Sequence, residues 1–214
     1  MRYSLLILAV VCLTLTGCGK RNFREVSLPV SNVRWTDDFE VIKAEADKGD
    51  PTAMYMLSTT KGHIAGLTQE QQNQYLFQAA ELDYVQAQLD LFNAYKRGER
   101  GFEKSSEGAI YMAKRLACSP GGASYSAGYL AILYGNLDND YVSAEEQALV
   151  QPNLPLAYAH ASMVPIKIFG TRIEQEKLEK MMTEDQIKEG EKILEQFRFG
   201  KKCPYQLVAA KSQP

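Results

Sequence analysis

Histidine is nearly missing from this chain: among 214 residues only His63 and His160 occur. A metal site built from several imidazoles is therefore excluded, and neither residue lies in an H-E-x-x-H helix. A surplus of one charge is missing too. Lys and Arg total 24 against 26 Asp and Glu, a formal net charge of −2, whereas a protein that grips a phosphate backbone needs a concentrated basic face. No nucleic-acid partner is expected. The chain contains no G-x-S-x-G elbow and no phosphate-cradling P-loop, and Gly121-Gly122 is by itself a weak argument for a phosphate site. Long β-branched alternation is scarce, so little or no sheet is expected. What is present, 45% hydrophobic and 23% charged residues, is the balance of a globular chain long enough for one domain with a substantial core.

The most informative stretch is N-terminal. Arg2 supplies a short positive region, and Leu5 to Leu15 is an apolar, helix-forming run of roughly the 7–15 residues found in signal-peptide cores. It is too short to span a bilayer, which takes about 20 apolar residues. Leu15, Thr16, Gly17 and Cys18 close the run as L-T-G-C. This pattern resembles the lipobox of bacterial lipoproteins. The resemblance implies that residues 1–17 are a signal peptide, that Cys18 becomes the first mature residue and carries a diacylglycerol group, and that the protein is tethered to a membrane outside the cytoplasm. An uncleaved anchor or an ordinary secretory signal is the alternative, and either still exports the chain. In that family an Asp after the cysteine marks inner-membrane retention in Gram-negative bacteria. Gly19 stands there instead, which implies the outer membrane. Residues 18–33 then form a polar tether with Lys20, Arg21, Arg24 and Pro29.

Four cysteines occur in all. Cys12 leaves with the signal and Cys18 is acylated, so Cys118 and Cys203 remain for the folded part. In an oxidising compartment two such residues are expected to form one bridge, with two unpaired thiols as the alternative. A bridge of that span contributes on the order of 4 kcal/mol by loop closure.

Internal repetition organises residues 34–200. A-E-A-D-K-G-D-P-T-A-M-Y-M-L, from Ala44 to Leu57, overlays A-A-E-L-D-Y-V-Q-A-Q-L-D-L-F-N-A-Y, from Ala79 to Tyr95, with Ala53 on Ala87 and Leu57 on Leu91. A third copy runs from Ala113 to Tyr134, with Ala127 and Ala131 at the small positions, and a weaker fourth from Leu154 to Met163. Periods of about 30–40 residues holding two short helices mark a helical solenoid. The segments resemble the Sel1-like repeat family, a relative of the tetratricopeptide repeats, best at A-Y-K-R-G-E-R-G-F-E-K, Ala94 to Lys104. Met182 to Lys192 resembles the closing helix that often follows such arrays. The resemblance spans roughly Phe39 to Phe199. It implies an all-α fold, a short right-handed α-solenoid of stacked antiparallel helix pairs with a C-terminal capping helix, followed by a tail over 201–214. Pro120-Gly121-Gly122 and the prolines Pro152 and Pro155 depart from the pattern.

Local signals agree. Asp37 with Glu40, Thr68 with Gln71, Ser143 with Glu146 and Thr183 with Gln186 have capping-box spacing. Gly49 and Gly200 stand where a left-handed C-terminal residue is needed. Ala53, Ala79, Ala80, Ala87 and Ala113 allow close helix approach, with Leu57, Leu91, Tyr95, Leu116 and Tyr134 filling between layers. The charges from Arg172 to Glu195 read as solvated helix faces, with Ile173, Leu178, Ile187, Ile193, Leu194 and Phe197 turned inward.

Catalytic signals are slight. His63 is expected in a loop and His160 as a structural imidazole on the fourth apolar helix. Ser58-Thr59-Thr60-Lys61 fits S-x-x-K, the serine and lysine spacing of penicillin-recognising enzymes, and some Sel1-like proteins are described as penicillin-binding. The companion S-D-N and K-T-G motifs are missing. An envelope hydrolase, penicillin-recognising or peptidoglycan-active, is thus the alternative to a non-enzymatic binding protein. The family is used mostly as a scaffold for protein contacts, and some exported Sel1-like lipoproteins resemble immunity proteins against phospholipase effectors of type VI secretion. The residues least needed for packing, Tyr55, Gln88, Phe92, Lys96, Arg97 and Tyr129, are the candidate partner contacts. The expected partners are another protein and, through the lipid, a membrane. No cofactor and no metal are expected.

Overall fold

The computed structural model describes residues 31–119, 121–163, 171–199, 203 and 205. Cys18, most of the expected tether, Gly200 and most of the tail lie outside these residues. The described part is all helical: α1 Phe39–Asp47, α2 Pro51–Leu57, α3 Thr60–Ile64, α4 Gln69–Glu81, α5 Val85–Arg97, α6 Ser106–Cys118, α7 Ala123–Gly135, α8 Ala144–Ala148, α9 Leu154–Ala161, α10 Thr171–Met181 and α11 Glu184–Phe199. The folded body begins earlier than the sequence pattern suggests. Ser31 Oγ donates to Asp50 Oδ2 at 2.7 Å and Val33 is buried in the first core cluster, so the end of the expected tether is docked.

Several starts are fixed by side chains. At α4, Thr68 Oγ1 accepts from Gln71 N–H while Gln71 Oε1 accepts from Thr68 N–H. Ser143 and Glu146 make the same reciprocal pair at α8, and Thr183 and Gln186 make it ahead of α11. These boxes satisfy amide groups that a helix start leaves open. The expected box at Asp37 and Glu40 does not form. Asp38 is the residue preceding α1 and makes no side-chain cap, while Asp37 Oδ2 accepts from Arg34 N–H at 2.7 Å and closes the turn before the helix. Asp50 caps α2 through Thr52 N–H at 2.8 Å, with Pro51 in the first turn, where its missing N–H costs nothing. Pro155 has the same place in α9, behind the Asn153 cap. Gly49 follows α1 at φ +96°, the left-handed conformation expected there.

Packing runs from neighbour to neighbour. α1 lies on α2, α2 on α4, α4 on α5, α5 on α6 and α6 on α7; α9 then packs against α7, α10 and α11. Ala53, Ala79, Ala80, Ala87 and Ala113 are fully buried between these helices, which is the close approach that small residues permit. α9 and α11 approach closely at Gly190 of α11, where an added Cβ would lie 2.8 Å from the Tyr158 ring and 2.9 Å from the Pro155 carbonyl oxygen. One core cluster gathers Val33, Ile42, Ala46, Ala53, Met56 and Leu57; a larger one extends from Leu76 to Leu178. Leu178 and Leu194 are buried while Ile187, Ile193 and Phe197 are half-buried, so the charged stretch does carry an inward stripe.

Candidate functional site

Three polar assemblies hold the chemistry of the described residues. The first joins α5, α7 and α8. Lys96 Nζ donates to both Glu146 oxygens and lies 5.0 Å from the Tyr129 ring centre and 4.9 Å from that of Tyr141. Tyr129 Oη donates to Glu146 Oε1 at 3.0 Å. Burial raises the Glu146 carboxyl, but Lys96, the Ser143 N–H and the Tyr129 hydroxyl outweigh it and leave the group below the usual carboxylate range. Burial and the adjacent Glu146 carboxylate push the Tyr129 phenol well up, so it remains a donor.

The second ties α6 to the turn between α4 and α5. Arg115, 9% exposed, donates to the Glu81 carboxylate, to the Glu81 carbonyl at 3.1 Å and to Asp83 Oδ1 at 2.8 Å. Asp83 has a left-handed backbone, φ +59°, and also accepts from Gln88 Nε2 at 3.0 Å. Gln88 Nε2 donates to the Ala80 carbonyl as well. The guanidinium fork suits this carboxylate-and-carbonyl set as a lysine would not.

The third is aromatic and closes the C-terminal end. His160 is fully buried, and its Nε2 is hydrogen-bonded to the Tyr205 hydroxyl. Its ring centre lies 5.9 Å from that of Tyr205, 5.0 Å from Phe197 and 6.3 Å from Tyr134. Burial drives the imidazole down to about 3, so it is neutral in ordinary solution. Burial likewise raises the Tyr134 phenol to about 12 and lowers the Lys114 ammonium, which stands 5.7 Å from the Tyr205 ring centre. Beside this cluster Cys118 and Cys203 form a disulfide, Cα to Cα 5.4 Å. The bridge expected from the cysteine count is present, and His160 lies buried on α9, the apolar helix expected to carry it. His63, by contrast, lies on α3 and not in a loop, and is exposed.

The candidate partner contacts divide sharply. Gln88, Phe92 and Tyr129 are 0%, 2% and 3% exposed, which corrects their placement on an open surface. Gln88 is committed to the Asp83 turn, and Phe92 and Tyr129 stack edge-to-face at 5.1 Å. Lys96 is held by Glu146. Tyr55 is half-buried, donating to Asp90 Oδ2 at 3.0 Å. Arg97 alone of the six is exposed, with 61% of its side chain in solvent. A neighbour that sequence reasoning missed is Tyr141, 49% exposed, set against the Lys96 ammonium and near Arg97.

The serine and lysine of S-x-x-K do not meet. α2 ends at Leu57, Thr59 is extended, and α3 starts a separate helix at Thr60. Ser58 is fully buried with Oγ donating to the Tyr55 carbonyl at 2.7 Å, while Lys61 Nζ donates to the Asp37 carbonyl. Among the described residues no group of three or more His, Cys, Asp or Glu side chains converges as a metal site, and no helix is long and apolar enough to cross a membrane. Neither protein-family models nor curated protein sequences give a match to this chain.

Proposed function

We propose that this chain is a lipid-anchored envelope protein whose helices form a short right-handed solenoid of Sel1-like pairs, acting as a non-enzymatic scaffold for another protein. The neighbour-to-neighbour order of helix contacts carries this reading: each pair is buried by the next, which frees outward positions for recognition. Lys96 and Glu146, and Arg115 with Glu81 and Asp83, act as clamps between successive units, keeping that surface rigid. Arg97 and Tyr141 form its accessible basic and aromatic edge. The hydrolase reading loses support from its one sequence candidate, because Ser58 is buried and its Oγ donates to the Tyr55 carbonyl of the preceding helix.

Within this reading Cys18 carries the lipid at the outer membrane, and the partner we favour is a phospholipase effector delivered by type VI secretion, which the tethered scaffold would neutralise at the surface the enzyme attacks. The test has two arms. Labelled palmitate should enter the wild-type chain and not Cys18→Ala; label in the variant would remove the lipoprotein assignment. Cells lacking the chain should lose survival against effector-bearing siblings, and unchanged survival would remove the immunity role while leaving a general envelope adaptor.

A further inference from the structure

The C-terminal aromatic cluster has one member that does not belong to a helix. Tyr205 comes from the segment beyond α11, yet it covers the fully buried His160, bonds to its Nε2, and stacks on Tyr134 at 6.1 Å and beside Phe197 at 6.2 Å. It lies two residues past Cys203, which is bridged to Cys118 at the end of α6. We propose that the Cys118–Cys203 disulfide is a redox latch that keeps Tyr205 seated over His160, so that reduction uncovers the His160, Tyr134 and Phe197 pocket without dismantling the helices.

Placement supports this. Tyr134 and His160 are held by α7 and α9, and Phe197 by α11, helices that pack on one another without any help from the bridge. Tyr205 lies outside these helices and is held by its ring contacts and by hydrogen bonds to His160 and Tyr134. Seating a ring from outside the helices costs chain entropy, and a covalent link two residues away removes part of that cost in advance. Cys203 is exposed and Cys118 half-buried, so Cys203 is the sulfur an incoming thiolate reaches. A dithiol reductant attacks there, displaces the Cys118 thiolate and forms a mixed disulfide. Its second thiol then releases Cys203. Two electrons and two protons pass to the chain, leaving two thiols, and the reductant departs as a disulfide.

The two histidines provide an internally controlled test. The full chain, oxidised or reduced with dithiothreitol and alkylated, is treated with diethyl pyrocarbonate and each histidine is followed by mass spectrometry. His63 is exposed and should be labelled alike in both forms. His160 should be labelled at least ~10-fold faster after reduction, with the helical circular dichroism unchanged. Tyr205→Ala should label His160 with the bridge intact. Protection of His160 after both thiols are alkylated would overturn the latch, as would protection in Tyr205→Ala or a loss of helix on reduction.

Discussion

Lys96 Nζ donates to both carboxylate oxygens of Glu146, at 2.8 and 2.9 Å, across 50 residues of sequence. The pair is sequestered, with 14% of the lysine side chain and 3% of the glutamate side chain exposed. Breaking a buried pair strands the survivor, so Lys96→Met and Glu146→Gln should each lower stability by about 2–4 kcal/mol. The double variant should lose less than the sum, with a coupling of roughly 1–3 kcal/mol in urea melts. Simple additivity would mean that the two side chains act independently.

Arg115 gives a test of geometry at constant charge. Its fork reaches two carboxylates and one carbonyl, a set that a lysine ammonium on a different stem does not match. The partners Glu81 and Asp83 are themselves well exposed, which limits the value of each contact. Arg115→Lys should cost about 1–2 kcal/mol, measured by thermal melting, and a loss indistinguishable from zero would reduce the assembly to a surface charge pair.

Which of these relations the chain discloses in its linear order depends on their range. Thr68 with Gln71 and Ser143 with Glu146 were legible because a cap is made within one helical turn, and the buried alanines because small residues recur at a fixed period. Asp37 failed because the Arg34 amide competes for the same carboxylate, a choice the spacing does not encode. Gln88, Phe92 and Tyr129 looked dispensable for packing because their partners lie on other helices: Phe92 meets Tyr129, and Tyr129 meets Glu146. Glu146 itself was visible only as a capping residue, and its second role needed the fold.

Gly190 makes a prediction whose sign opposes helix propensity. In the middle of α11 an alanine would ordinarily stabilise the helix by roughly 1 kcal/mol. Here its methyl would fall 2.8 Å from Tyr158 Cδ1 and 2.9 Å from the Pro155 carbonyl oxygen, and the latter is backbone that cannot swing aside. Gly190→Ala should therefore destabilise the protein by about 1–3 kcal/mol net. A higher melting temperature in the variant would mean that α9 and α11 sit farther apart than described.

His160 sets the acid side of the stability profile. In the folded protein burial holds its pKa at about 3, against an ordinary value near 6.5. Between those values the unfolded chain binds a proton that the folded chain refuses. The stabilisation is complete above pH ~6.5 and is lost as pH falls toward 3, at a slope approaching 1.4 kcal/mol per unit. Glu146, held below the usual carboxylate range, acts in the same direction but only further into acid, so the interval from pH 6.5 to about 4.5 belongs to the imidazole. His160→Gln cannot titrate. Whatever its absolute stability, its urea midpoint should stay nearly flat over that interval while the wild-type midpoint falls, and parallel slopes in the two proteins would assign the acid sensitivity to another group.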